Sequence, residues 1–428
     1  MCAKPGKNKI NAPFSSEIGA VFLASIGILW YTEAVTEDDC MKKTLTFQYT
    51  FHQMAYWATA AGVVSFATAF LLQKGFAAST VGVLLAAGNL LSCAFQPILA
   101  DRADRIGGNV LKWLTAGLTL ISAACFASIQ LFPMGTTAFG LLYLLGVFAF
   151  DAMNPLMNAL NVSYMTNGFS INYGLSRGLG SLAYAFAALG IGKVMARFGA
   201  EWMIWISLGL LAINAAMSLS YPSLMTTVSE EKKEKDCCSI PVFFRRYKWY
   251  CVSLLGVLLL GMFHAMTENY LIEIVTPLGG DSGTVGVALF VATAIEALVM
   301  VYLDKVRSRI SDNWLLKIAG LSFVLKSILF LLAGNVMTIY MIQLLQATSY
   351  TFLSPIQMYY ANNKIRAADM VKGQAFTTAA YTLGCAAGNF AGGQLISGFG
   401  LRAMLIAGVV MAVAGTLVFF LTVEKNDT

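Results

Sequence analysis

Apolar positions along this chain come in long runs, not in the alternating or helical-face patterns of a water-soluble core. VGVLLAAGNLLSCAF (81–95), LLYLLGVFAF (141–150) and AMLIAGVVMAVAGTLVFFLT (403–422) are examples. Runs of about 20 such residues cross a bilayer as helices. Twelve spans are expected, numbered here in order: 49–74, 78–100, 110–132, 135–160, 173–196, 201–221, 248–275, 282–304, 313–335, 337–361, 371–397 and 401–422. The longest polar interruption, 223–247, carries SEEKKEKDCC and FFRRYK and separates two groups of six. The expected organisation is an extension over 1–40, a six-helix bundle over 41–222, a central loop over 223–247 and a second bundle over 248–428.

Composition agrees with this pattern. The chain is 58% hydrophobic and 12% charged, beyond what a soluble domain uses. The net charge of +6 lies in short loops between spans and is not a nucleic-acid footprint. Placing the amino end of span 1 in the cytoplasm puts 19 Lys and Arg on that side, against Lys74, Lys193, Arg197 and Arg402 on the other. A multi-pass protein of the cell membrane with cytoplasmic termini for the twelve-helix body follows. Residues 1–40 fit this poorly. Their apolar run at 18–34 follows Lys4, Lys7 and Lys9, and MKKTLTFQYTF (41–51) reads as a natural start, with Met41 as initiator. A genuine extra helix is the alternative. Eight scattered cysteines without CxxC spacing argue against a disulfide framework, and two histidines, His52 and His264, against a His-based metal site. No metal or cofactor is expected.

The two groups repeat each other. STVGVLLA (79–86) returns as GTVGVALF (283–290), AGL (116–118) at 319–321, NPLMNALN (154–161) as SPIQMYYA (354–361), and GKVMARFG (192–199) as GQLISGFG (393–400). The offsets are 204, 203, 200 and 201, so the halves are equivalent bundles in parallel orientation. Transporters are commonly built this way, with the solute between the halves.

After span 2 comes PILADRADRIGGN (97–109), with Asp101, Arg102, Asp104 and Arg105 in close succession; YLDKVRSRISDN (302–313) matches it in the second half. The first loop resembles the signature of the major facilitator superfamily. Ala103, Asp104, Arg105, Ile106 and Gly107 fit it, while Ala100 and Gly108 depart from it. The resemblance implies an all-α membrane fold of two pseudo-symmetric six-helix bundles, alternating access by rocking halves, and no ATPase. The absence of GxxxxGK[ST] independently removes an ATP phosphate cradle. Asp101, Arg102, Asp104 and Arg105 form a candidate cytoplasmic gate, pairing with a neighbouring helix terminus in one state and releasing it in the other. A solvated orienting loop is the plainer reading.

Charges within spans carry the chemistry: Asp151, Arg177, Glu268, Glu296 and Lys326. Lys326 is too deep to snorkel and needs Glu296 or Glu268 as partner. YGLSRGLGSLAY in span 5 resembles the oligosaccharide/proton symporter group that contains the lactose permease. The resemblance implies that Arg177 binds solute hydroxyls and that Tyr184, two turns on, stacks on a sugar ring. Asn158 stands where that group has a carboxylate, so Asp151 is the expected partner of Arg177. IEALVMVYL (295–303) resembles the group's span 8, placing Glu296 on its sugar- and proton-linked glutamate. Span 10 departs: Gln346 and Ser349 occupy the positions of its His and Glu. The proton role then falls to Glu296 or Glu268, and uncoupled diffusion is an alternative. KGQAFTTAAYTLG (372–384) also resembles nucleoside and small-acid relatives. Trp57 and Gln346 complete the candidate solute site; His264 reads as a packed core histidine. Gly384, Gly388 and Gly392 in span 11, with Gly174 and Gly178 in span 5, are expected where the halves meet.

The function expected is secondary transport, as a monomer, of a sugar, oligosaccharide or nucleoside-like solute with protons. A drug antiporter is disfavoured because span 5 lacks proline. A non-transporting receptor leaves Glu268, Glu296 and Lys326 unexplained, and no nucleophile or metal constellation speaks for an enzyme.

Overall fold

The computed structural model describes residues 37–105, 108–167, 171–222, 239–366 and 369–425. Leu45–Thr428 is one compact unit; of Met1–Thr44 only 37–44 are described, as the opening of a helix. The apolar run at 18–34 and the charged stretch 229–238 lie outside the described residues.

Helices occupy all twelve expected spans. Span 1 is Glu37–Ala60, a π-helical turn Ala61–Ser65 and Ala67–Gln73, with a bend of 43°. Spans 2 and 3 are Ala78–Arg105 and Gly108–Leu131, and span 4 divides into Thr136–Asp151 and Met153–Thr166. Spans 5 and 6 are Tyr173–Phe198 and Glu201–Ser220. A short helix, Ile240–Arg246, precedes span 7, Lys248–Asn269 continued by Leu271–Val275. Spans 8 and 9 are Ser282–Arg307 and Asp312–Leu332; spans 11 and 12 are Met370–Phe399 and Leu401–Thr422. Span 10 is not the continuous helix expected: it comprises Val336–Gln343, a 3-10 stretch Leu344–Ala347, and Tyr350–Lys364. Among the described residues nine helices are individually long and apolar enough to cross a membrane, and the bent pair of span 1 makes ten. Span 10 falls short because it is broken, and span 11 because Gly, Thr, Asn and Gln dilute it.

The break in span 4 follows from Pro155, which lacks an N–H and pushes on the carbonyl of Asp151, the last residue of the upstream piece. Pro355, at the matching place in the repeat, lies inside the helix Tyr350–Lys364, beyond the 3-10 stretch that breaks span 10. Burial is inverted relative to a soluble protein: His52, Gln53, Asn214, Lys326 and Gln343 are buried, while Trp113, Leu120, Val301 and Leu332 face outward.

Four glycines are the positive-φ residues among those described: Gly75 (87°), Gly199 (99°), Gly279 (81°) and Gly400 (84°). They form two repeat-related pairs, ending spans 1 and 7 and spans 5 and 11, where an L side chain would strain the turn. All four tight connections lie at one end of the bundle. At that end the two halves meet through two further glycine pairs. A Cβ on Gly82 would lie 2.6 Å from the Asn389 carbonyl oxygen, and one on Gly393 3.0 Å from the Gly82 Cα. Across the molecule, a Cβ on Gly192 would lie 2.9 Å from the Gly286 Cα, and one on Gly286 2.6 Å from the Ala188 carbonyl oxygen. Span 2 thus touches span 11, and span 5 touches span 8, backbone to backbone. The Ser79 amide also donates to Ser397 Oγ at 2.8 Å.

The glycines expected at this boundary lie elsewhere. Gly384 and Gly388 pack on the Leu258 and Met262 backbone, and Gly392 on Tyr270, all within the second six spans. Gly178 has nothing within 4 Å, and Gly174 only its neighbour Asn172. Small-xxx-small spacing marks close helix approach without saying to which helix.

Gly192→Ala is expected to lower the thermal unfolding temperature of the purified protein through overpacking of about 1–3 kcal/mol. Gly190→Ala, where a Cβ meets nothing within 4 Å, is expected to leave it unchanged or raise it slightly. Thermal unfolding of the two variants in detergent checks this.

Candidate functional site

Between the halves lies a cavity of about 320 Å³. Trp57 and Ser65 of span 1, Asn89 of span 2 and Arg177, Ser181 and Tyr184 of span 5 form one wall. His264, Glu268, Asn269, Thr293, Glu296, Gln346, Tyr350 and Cys385 form most of the other. Several are repeat-related: Ser65 with Asn269, Asn89 with Thr293, Tyr184 with Cys385.

Arg177 is held in place by span 1 and by its own helix. Its guanidinium carbon sits 3.9 Å from the centre of the Trp57 ring, and Nη1 donates to Ser181 Oγ at 2.7 Å. A cation on an indole face is worth about 2 kcal/mol when desolvated. Gly180 makes room for that indole, since a Cβ there would lie 2.7 Å from Trp57 Cδ1. A ladder at four-residue spacing fixes the indole edge: Trp57 Nε1 donates to Gln53 Oε1 (3.0 Å) and Gln53 Nε2 to the Tyr49 hydroxyl (2.8 Å). Tyr49 donates in turn to Asn158 Oδ1 at 3.3 Å. Asn158 therefore stands outside the cavity and reaches Arg177 only through three other side chains. Tyr184 lies in the cavity wall with its hydroxyl 2.7 Å from Ser65 Oγ, at the end of the π-helical turn.

The facing wall is organised by Lys326, which is fully buried. Its Nζ donates to Glu268 Oε1 at 2.9 Å and to Gln346 Oε1 at 2.7 Å. This anchors a carboxylate and fixes the Gln346 amide in the cavity wall. Glu296 lines the same cavity without a salt bridge among the described residues. Arg177 likewise forms none, and the pairing expected with Asp151 is not made; Asp151 lines a separate, smaller cavity. One unpaired cation thus stands on span 5 and one unpaired carboxylate on span 8. Such groups donate and accept several hydrogen bonds at once.

The cavity therefore gathers Trp57, Arg177, Tyr184, Glu268, Glu296 and Gln346, with Lys326 behind them, and leaves out Asn158 and Asp151. Asn89, Asn269 and Tyr350 were not singled out from the sequence. Asn269 follows Glu268 directly, and Asn89 is a lone amide in an apolar run, so both carried a weak signal. His264, read as a core residue, stacks on Tyr350 (ring centres 4.7 Å apart, 6° between planes) and faces the cavity. For Asp101, Arg102, Asp104 and Arg105 the backbone is helical, and their side chains lie outside the described residues. In the repeat-related loop, Arg307 holds Asp312 through Nε (2.9 Å) and Nη2 (3.3 Å), and Asn363 Nδ2 donates to the same carboxylate at 2.8 Å.

No curated protein sequence matches the chain. Among solved structures, a mutant of the nucleoside transporter NupG is similar at 14% identity, covering 89% of this chain and 100% of its own, with a TM-score of 0.76. A bacterial homologue of the human lysosomal transporter Spinster, inward-facing and occupied, is 12% identical over 89% of this chain and 96% of its own, with a TM-score of 0.64. A D-xylose-proton symporter is 16% identical over 90% and 99%, with a TM-score of 0.60. At such identities the likeness establishes the fold alone. The MFS_1 like family matches residues 46–407. With that match, the two-fold repeat and the shared fold, this chain belongs to the MFS_1-like family of the major facilitator superfamily and is a secondary transporter, not an enzyme.

Proposed function

We propose that the chain carries a small polyhydroxylated solute, a sugar or a nucleoside, across the cell membrane together with protons. The observation behind this reading is the cavity with Arg177 on one wall and Glu296 on the other, neither in a salt bridge. Hydroxyl groups accept from the guanidinium and donate to the carboxylate, while Trp57, Tyr184 and Tyr350 offer ring faces to C–H or base surfaces. A volume of about 320 Å³ is at the small end for ligand sites, which favours a monosaccharide or nucleoside over a longer oligosaccharide. Glu296 and Glu268 are the proton carriers in this reading. The Lys326–Glu268 pair is broken and remade as Glu268 is protonated and released, and Gln346 follows Lys326. Asn158 acts as a positioning residue through Tyr49, Gln53 and Trp57.

Transport follows from the glycine contacts. With the basic loops cytoplasmic, the end closed by Gly82–Gly393 and Gly192–Gly286 is extracellular. Opening these contacts and closing the other end, where Asp101, Arg102, Asp104 and Arg105 lie, exposes the cavity outside. The nucleoside reading has its own support in the stacked His264–Tyr350 pair, a flat surface suited to a base, and in the shared fold of a nucleoside transporter.

In proteoliposomes offered a panel of monosaccharides and nucleosides, one solute class is expected to accumulate and to alkalinise the outer medium. Arg177→Ala is expected to reduce that flux at least about tenfold, as loss of a charged buried hydrogen-bond donor does. Glu296→Gln is expected to retain solute exchange but lose proton movement. If solute equilibrates in the wild type without a pH change, the protein is a uniporter; if no solute of either class moves, the polyhydroxylated-solute reading fails.

Lys326→Met and Glu268→Gln are each expected to destabilise the protein by about 3–5 kcal/mol, because each leaves a buried charge unpaired, while the double variant recovers much of that loss. Thermal unfolding of the three proteins reads this directly. Equal, additive losses would mean that the pair is not coupled.

A further inference from the structure

A second cavity, of about 50 Å³, lies beside the first. Asp151, Asn89, Asn269 and Asn389 bring polar side chains to it, with Tyr143 and the apolar Val63, Val64 and Leu144 around them. Asp151 forms no salt bridge among the described residues. A bare carboxylate at this depth requires compensation.

The backbone adds to that need. Asp151 ends the half-helix Thr136–Asp151, whose carboxyl-terminal dipole is negative and is brought inside the bundle by the break at Ala152. Span 1 passes the same cavity through its π-helical turn, Ala61–Ser65, where Val63 and Val64 line the wall. Tyr143 donates to the Val63 carbonyl at 2.8 Å, fixing the turn. Asn269 Nδ2 donates to Asn389 Oδ1 at 2.7 Å, which spends one donor and leaves the Asn269 oxygen for other use. One carboxylate, amide oxygens and the negative end of a half-helix match a hard monovalent cation. Calcium takes about six to eight oxygen ligands and magnesium keeps several waters, more than this space holds. The space holds an ion with about one water, whose share of liquid volume is about 30 Å³.

We propose that this cavity is a sodium site, with Asp151 as the charged ligand and Asn89, Asn269 and Asn389 as neutral partners. Spans 1, 2 and 4 contribute from the first half, and spans 7 and 11 from the second, so the complete site exists only while these helices hold their present arrangement. Asn89 and Asn269 also line the larger cavity. Sodium is therefore linked to occupancy of that cavity through two shared side chains. This link rests on the solute reading above; the sodium site does not.

The test is thermal unfolding of the purified full chain in sodium chloride against choline chloride at equal ionic strength, with no solute present. Sodium is expected to raise the unfolding temperature saturably by roughly 2–4 °C. Asp151→Asn is expected to abolish the rise, Asn89→Ala to shift its midpoint to higher sodium, and Gly190→Ala, at neither cavity, to keep it. Should Asp151→Asn fail to fold, Asn89→Ala carries the test alone. Equal unfolding temperatures in the two salts, or a sodium response that survives unchanged in both Asp151→Asn and Asn89→Ala, overturn the proposal. A solute-free readout separates this outcome from failure of the solute assignment.

Discussion

Everything in this molecule depends on two places where backbone meets backbone. Gly82 against Gly393 and Gly192 against Gly286 bring spans 2 and 11, and spans 5 and 8, closer than any side chain permits. In lipid there is no gain in burying one apolar helix surface against another, so close van der Waals approach is what remains to hold the halves. Because both contacts lie at the end of the tight glycine turns, the helices are joined there and diverge towards the cavity. Gly178, about four turns from Gly192 on the same helix, has open space where Gly192 has a neighbour. The cavity is a result of where the glycines are.

Within that space the charges divide into held and unheld. Lys326 and Glu268 neutralise each other, with Gln346 as third member. Arg177 is steadied by an indole face and a serine hydroxyl, which orient a cation without cancelling it. Glu296 is not cancelled either. Charge left uncompensated in a membrane interior is costly, which is the ground for reading these two groups as the ones that meet solute and proton.

Much of this was legible in the sequence. The repeats TVGV and GKVMARFG/GQLISGFG contain the four contact glycines and two of the four positive-φ glycines, so the internal symmetry was visible at its structural hinges. Charged residues in apolar runs announced Arg177, Glu268, Glu296 and Lys326. What the sequence did not disclose was pairing. Spacing alone could not say that Gly384 and Gly388 pack inside one half, nor that Asp151 turns away from Arg177. It could not say that Asn158 reaches the site only through a relay. Those facts depend on helix rotation and on the breaks within spans 4 and 10, which shift the facing of the residues beyond them. Asn89, Asn269 and Tyr350 escaped notice because neutral polar residues in a helix look the same whether they bond a neighbour or line a cavity.

The repeat-related positions around the cavity have a further consequence. Ser65 and Asn269, Asn89 and Thr293, and Tyr184 and Cys385 flank it in pairs, so a bound molecule lies near the pseudo-dyad of the protein. If paired residues were identical, such a molecule could be accepted equally well after a half-turn. Here each pair is unlike, and the cation stands on one side while the carboxylates stand on the other. The duplication built a symmetric frame, and divergence within it made the frame polar: a solute held there would have one end recognised as its head.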